Sequence, residues 1–295
     1  MLEELAELSN VGYPTEANSA CKSTDSVRID TRSTHGLADS IPMCSKGVVV
    51  ATRLLQVVQS GERTNAAGKP VSNRILLAIP DTEYHSIRPH LEYLSMPHHR
   101  SLHEPHKKLK FVHFPNQGLI SLVAVMKDGR TVETGIVGNE GASGIAAAVG
   151  LSRSPLREIV QIAGDGFRVR VAELQETLPS TPQLRNILGR YIMVLGMQVE
   201  QTAACNRLHR IEQRLARWLL MAQDRVDSGS LPITHDFLAT MLGTDRPTVT
   251  LAAGILQRLQ LIGYTRGAVK ILERRKLEKF ACECYGNIRQ YNGEL

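Results

Sequence analysis

Between His235 and Leu272 the sequence reads HDFLATMLGTDRPTVTLAAGILQRLQLIGYTRGAVKIL, and its polar residues are of the kinds that contact a nucleic-acid duplex. Arg246 offers a planar fork of donors that matches a guanine edge in the major groove, and Thr248 and Thr250 place hydroxyls beside it. These three are the candidate base-reading residues. Thr244, Arg258, Arg266 and Lys270 are candidate phosphate contacts, which position a protein on the backbone without reading sequence. Such chemistry needs rigid presentation. Two short helices that cross nearly at right angles require a small residue at the crossing, a glycine in the turn and an inward apolar residue on the second helix. Ala239, Gly243 and Val249 fill those places, and Leu238, Leu242, Ala252 and Leu256 complete the buried side. Thr244 or Asp245 can cap the second helix and Pro247 falls in its first turn, which sets the helix start near Arg246. The LIGYTRGAVKIL stretch that follows reads as a hairpin wing.

Other residues could do different chemistry. His98, His99, His103 and His106 lie close together in HHRSLHEPHKK, and several imidazoles on one rim could hold a transition metal. A solvated loop has the same spacing, and the expectation is no metal site. Cys21, Cys44, Cys205, Cys282 and Cys284 fit neither a disulfide framework nor a zinc spacing, so they are expected as reduced thiols. Cys205, Cys282 and Cys284 then read as buried structural cysteines, with thiol sensing as the alternative. No nucleophile elbow, phosphate-cradling glycine loop or paired carboxylates stand out. The expectation is a non-enzyme with no catalytic residue and no cofactor. Its rival is a metal-dependent, cupin-like jelly-roll enzyme with His98 to His106 as ligands.

The elements that must position these residues follow from composition and periodicity. The chain has 295 residues, 42% hydrophobic and 22% charged, enough for two domains with real cores. It lacks an apolar run long enough for a membrane span and begins without a secretory pattern, so a cytoplasmic protein with no membrane partner is expected. Of the net charge of +6, most falls from Arg207 onward, where 14 Lys and Arg face 9 Asp and Glu. Residues 1–70 are rich in Ser, Thr, Asn and Gly and read as a disordered or weakly ordered extension. Residues 71–181 form the next unit. Helical spacing runs from Ser72 to Ser95, then KFVHF, LISLVAVM, TVETGIV, EIVQIAG and FRVRV alternate with turns. Asp128 and Gly129 mark a hairpin with a primed turn, and the whole suits a jelly-roll barrel.

A long helix over 182–206 carries Leu184, Ile187, Leu188, Tyr191 and Leu195 at steps of three and four. That stripe suits packing against its copy in a second subunit, or burial against the chain's own β domain. Residues 207–295 hold the winged helix-turn-helix, covered by a helix over Arg210 to Arg225 with Ile211, Leu215, Trp218, Leu219 and Ala222 inward and Glu212, Arg214 and Arg217 outward. The fold class is α+β.

The order of barrel, long helix and winged helix-turn-helix, with the stretches FVHFPNQGLISLV, VETGIVGNEGASG, ACNRLHRIEQRLARWLL and LAAGILQRLQLIGYTRG, resembles the Crp/Fnr transcription regulators from about Ser72 to Tyr285. The resemblance implies a cyclic-nucleotide-binding-like barrel, a homodimer on a two-fold symmetric stretch of double-stranded DNA, and RNA polymerase as a further partner. In cyclic-nucleotide-responsive members a Gly, a Glu and an Arg hold ribose and cyclic phosphate. Gly144 matches that Gly, Ile145 replaces the Glu, and Pro155 and Leu156 stand where the Arg belongs, with Arg153 and Arg157 out of register. Gly144, Ile145 and Arg157 are thus the candidate effector pocket, and cyclic AMP is not the expected effector. Arg246 matches a base-reading arginine of the family, while Pro247 and Leu251 replace a Glu and an Arg, so a different target sequence is implied. Only Cys21 and Cys44 precede the barrel, which excludes the iron–sulfur cluster of the oxygen-sensing members.

Overall fold

The computed structural model describes residues 58–226, 228–265 and 267–293. Residues 58–70 turn back on themselves through Asn65, whose backbone N–H donates to Lys69 at 3.0 Å. Arg63 anchors them, with its buried guanidinium donating to the carbonyls of Leu76 and Ile79 and pairing with Asp81 at 2.6 Å. These residues, assigned by composition to the extension, are therefore part of the β domain's helical flank. Residues 1–57 lie outside the described residues. Helix α1 (Arg74–Ala78) starts at Asn73, which caps it by accepting from the Leu76 N–H, and α2 (Asp81–Ile87) follows Pro80.

The helical spacing read as far as Ser95 ends early. Beyond Pro89 the chain runs as β1 (Glu92–Met96), in which Leu94 and Met96 point inward and Tyr93 and Ser95 outward. This period of two had been masked by the apolar residues at 91 and 94, which also satisfy a helical step. Strands β2 (Ser101–His103), β3 (Phe111–Pro115), β4 (Leu119–Val125), β5 (Thr131–Val137), β6 (Leu156–Ile162) and β7 (Gly164–Arg170) complete two antiparallel sheets in the orders β1-β7-β3 and β2-β6-β4-β5. Phe114, Phe167, Ile120, Leu122 and Val160 are among the residues that form the core of this jelly roll. The β4–β5 hairpin differs from the expected primed turn. Only Gly129 takes a positive φ, and its N–H bonds to the Met126 carbonyl, a three-residue loop closed by a left-handed glycine.

Helix α3 (Val171–Thr177) leads into α4 (Pro182–Leu208), 27 residues and about 40 Å long. Here the structure decides between the two readings of the stripe. Leu184, Leu188 and Tyr191 are fully buried in the chain's own β-domain core, and Ile187 and Leu195 pack half-buried against it. Tyr191 fits because it lies over Gly141, where any Cβ would collide with its ring. The outward face of α4 is a different set, in which Gly189, Met193, Gly196, Met197 and Glu200 recur at helical steps and Met193 is 62% exposed.

After a two-residue bend, α5 (Ile211–Gln223) opens the C-terminal domain: β8 (Ser230–Leu231), α6 (His235–Leu242), α7 (Arg246–Arg258), β9 (Ile262–Thr265), β10 (Ala268–Ile271), α8 (Arg274–Phe280) and α9 (Cys284–Gly293). Leu215, Trp218, Leu219, Leu238 and Leu242 share one core with Leu119, Val123, Ile136 and Ile162 of the barrel. Arg217, expected outside, is 3% exposed; it donates to Thr202 Oγ1 at 3.4 Å and lies 3.3 Å from Met221 Sδ. Its long stem serves as packing while the head finds local acceptors.

Glu133 on β5 is buried at the seam between barrel and C-terminal domain, where Trp218 Nε1 donates to it at 2.6 Å and Ser121 Oγ at 2.5 Å. Burial raises its carboxyl from the ordinary 4.5 to about 7, against the opposing effect of these hydrogen bonds. The folded protein therefore holds a proton that the unfolded chain has released, and stability falls as pH rises from 4.5 to about 7, then levels. The amplitude is about 3 kcal/mol. Glu133→Gln keeps both hydrogen-bonding partners and has no proton to lose. Urea unfolding across this pH range is expected to show the parent losing about 3 kcal/mol relative to the variant; parallel curves would refute the assignment.

Candidate nucleic-acid interface

Thr234 begins α6 by accepting from the Phe237 N–H at 3.3 Å, and Gly243 ends it at φ 60°, a left-handed turn that glycine adopts without penalty. Two residues later Asp245 caps α7 by accepting from the Thr248 N–H at 2.8 Å, and that bond holds its carboxyl below the usual range. Pro247 occupies the first turn, where its missing N–H is no loss. Ala239 and Val249 are buried where α6 and α7 cross, with Leu238, Leu242, Ala252 and Leu256 around them. Arg214 reaches from α5 to the Leu242 carbonyl and ties down the end of α6.

With its buried side so committed, α7 turns Arg246, Pro247, Thr250, Leu251, Gln257 and Arg258 to the surface. Arg246 pairs with Asp236 at 3.2 Å, but both side chains are largely exposed, so the pair is cheap to exchange for another acceptor. Thr250 is partly committed: its hydroxyl donates to the Arg246 carbonyl at 2.9 Å and lies 3.0 Å from His235 Nδ1. Thr244 and Thr248 are half-buried. Leu251, 72% exposed, stands in the middle of the face. It stands where the family resemblance puts an operator-reading Arg, and the 247, 250, 251, 254, 258 spacing of the outer face is legible in the sequence, although Leu251 is not among the candidate base-reading residues named there.

The wing is the β9–β10 hairpin, to which β8 adds a third strand, with Gly267 at φ 79° in its turn. Lys270 is exposed on β10, opposite Gly263. Arg266 lies outside the described residues. His235 joins the wing to α6, its ring centroid 4.3 Å from that of Tyr264. Burial, with Arg246 next in effect, lowers the His235 pKa and favours neutral imidazole. Arg246, Arg258 and Lys270 thus stand as exposed cations on two neighbouring elements.

The residues assigned to an effector pocket are arranged otherwise. Gly144 sits at φ 72°, and its N–H donates at 3.1 Å to Glu158, a buried carboxylate on β6. Ile145 is buried, whereas Arg157 points outward and pairs with Glu104 at 3.0 Å. Glu158, next to Arg157 on the same strand, thus takes the N–H that an anionic ligand would need, and period-two alternation places the two side chains on opposite faces. The rival enzyme reading fails on geometry. The His98 and His99 rings meet edge to face, His103 is buried on β2, and among the described residues none of His98, His99, His103 and His106 joins a convergent group of metal-ligating side chains.

A family model described as the Crp-like helix-turn-helix domain matches residues 213–280. Residues 213–280 of the C-terminal domain are thus similar to a Crp-like helix-turn-helix domain. Around it, the chain has the fold of solved Crp/Fnr regulators. FixK2 from Bradyrhizobium japonicum superposes with a TM-score of 0.57 at 15% identity, over 65% of this chain and 98% of that one. A putative transcriptional regulator of the Crp/Fnr family from Eubacterium rectale gives 0.55 at 15%, over 68% and 94%. The c-di-GMP responsive global regulator CLP from Xanthomonas campestris gives 0.55 at 14%, over 65% and 99%. No curated protein matches the sequence. The described residues thus have the fold of these solved regulators, and residues 213–280 match the Crp-like helix-turn-helix domain. No helix among the described residues is long and apolar enough to cross a membrane.

The first turn of α7 depends on one cap. Asp245→Ala is expected to lower stability by about 1 kcal/mol in urea unfolding, with Asp245→Asn recovering most of it; an unchanged midpoint in the alanine variant would show that the cap does not hold α7.

Proposed function

We propose that the protein regulates transcription as a homodimer that places two α7 helices in successive major grooves of a two-fold symmetric operator. The observation that carries this is the outward face of α7: Arg246 exposed at the start of a capped helix, with Thr250 and Leu251 one turn on and Arg258 and Lys270 flanking. Arg246 reads a guanine, Thr248 and Thr250 set its register, and Leu251 offers an apolar contact suited to a thymine methyl. Thr244, Arg258, Arg266 and Lys270 meet phosphates. The second copy packs along the outer α4 face of Gly189, Met193, Gly196, Met197 and Glu200, in which small residues allow close helix approach. This face replaces the Leu184 stripe, which the barrel has taken. RNA polymerase is the partner that the family resemblance implies, and the cytoplasm is where the chromosome is reached. Cyclic AMP is not the expected effector, since the Gly144 N–H is already taken by the buried Glu158 carboxyl.

Selection of bound duplexes from a random pool is expected to return a palindromic site. Arg246→Ala should then weaken binding to that site by about 1 to 3 kcal/mol and relax preference at one base pair per half-site. Equal affinity and equal preference would remove the base-reading role. Met193→Glu should shift sedimentation from dimer to monomer without changing the far-ultraviolet spectrum; a dimer that persists would move the interface elsewhere.

A further inference from the structure

Three cysteines and a histidine meet at the bend between α4 and α5. Cys205 lies in the last turn of α4, His209 follows that helix, Cys282 lies in the link between α8 and α9, and Cys284 begins α9. Their ligand atoms all lie within 4.8 Å of one another. Cys205 Sγ is 3.5 Å from Cys282 Sγ, and Cys284 Sγ is 3.5 Å from His209 Nδ1. A disulfide would need its sulfurs about 2.05 Å apart. Thiolates and an imidazole placed about 2.3 Å and 2.1 Å from one tetrahedral ion stand roughly 3.5 to 3.8 Å from each other; two of the pairs here are at 3.5 Å and the rest lie within 4.8 Å, so a small inward shift would close the set on an ion. The set is too tight to enclose the several irons and sulfides of an iron–sulfur cluster.

The surroundings are those of a ligand shell. The three cysteines are buried and form their own small cluster. His209 Nε2 lies 3.1 Å from Glu283 Oε1, and a proton shared there leaves the Nδ1 lone pair facing the sulfurs. Gln201 Nε2 donates to Cys284 Sγ at 3.1 Å. Three thiolates, a neutral imidazole and a divalent ion leave one negative charge. Arg217, buried on α5 and without a carboxylate ion pair among the described residues, is a cation of the same helix junction, reaching Thr202 in the turn of α4 before Cys205.

We propose that Cys205, His209, Cys282 and Cys284 bind one zinc ion, which staples α9 to the bend between the long helix and the C-terminal domain. The thiols release their protons to solvent as the thiolates coordinate, and no redox step is involved. All four positions are taken by protein, the mark of a structural rather than a catalytic zinc. The ion would fix the angle at which α4 hands over to α5.

The test uses the full-length protein purified under reducing conditions without chelator. Elemental analysis is expected to find about one zinc per chain, released by a thiol-reactive mercurial. Cobalt added to chelated protein should give the intense visible bands of a tetrahedral thiolate complex. Cys282→Ser with Cys284→Ser should abolish both signals. Because that variant could lose its fold, Glu283→Ala is the companion: its carboxylate is 71% exposed, all four ligands remain, and zinc should bind about tenfold more weakly in competition with a chromophoric chelator. Metal-free protein together with an octahedral cobalt spectrum would overturn the proposal. So would iron in place of zinc, or a Cys205–Cys282 disulfide as the reduced preparation's stable form.

Discussion

Two carboxylates from the barrel are carried into low-dielectric surroundings at the seam with the C-terminal domain, and the placement of the reader depends on how they are satisfied. Glu140 pairs with Arg225 at 2.6 Å, both side chains almost wholly buried, and the same guanidinium donates to Gln198 of α4 and to the Met221 carbonyl. Glu133 is held between Ser121 and the Trp218 indole. Desolvating ions costs several kcal/mol each, so such a pair contributes little net stability while penalising any arrangement that separates it. Its effect is geometric. Barrel, long helix and α5 can satisfy these groups together only when they meet at one angle.

That constraint accounts for the division of labour along α4. Its first half spends Leu184, Leu188 and Tyr191 on the barrel core, and Gln198 further along donates to the Ile136 carbonyl at 3.1 Å. The side left over is thin in bulky apolar residues but rich in glycine and methionine, a surface on which a second helix can approach closely. Below Gln198 the inner face turns to Thr202 and Cys205, and there the C-terminal α9 returns to the long helix, Asn287 reaching Gln201 at 3.4 Å. The C-terminal domain thus meets the rest of the chain at the Glu140–Arg225 and Glu133–Trp218 seam and again where α9 returns to α4.

Leu119, Val123, Ile136 and Ile162 belong to a strand layer whose other face lines the barrel, yet they pack with Trp218, Leu238 and Leu242. A shared core of this kind joins the barrel and the C-terminal domain. Release of the reader would expose that apolar surface, so any effector that moves it must supply compensating contacts.

Local chemistry made much of the fold and site readable in advance. A proline in a first turn, a capping aspartate, a glycine after an apolar run and alternating strands act within a few residues, and they set α6, α7, the wing, five barrel strands and the extent of α4. The partners of those elements depend on residues far apart in the chain. Whether the Leu184 stripe faced a second copy or its own barrel turned on Gly141, some fifty residues away, leaving room for Tyr191. Arg217 looked like a solvated charge until Thr202 of α4 stood over it. Leu251 gained meaning only once the buried side of α7 was known. Cys205 and His209 are separated from Cys282 and Cys284 by the whole reader, so no spacing rule could join them. The sequence by itself determined which elements form and where the helix-turn-helix pattern falls; the tertiary structure alone decided which faces are spent inside, because burial is settled by long-range contacts that local periodicity does not encode.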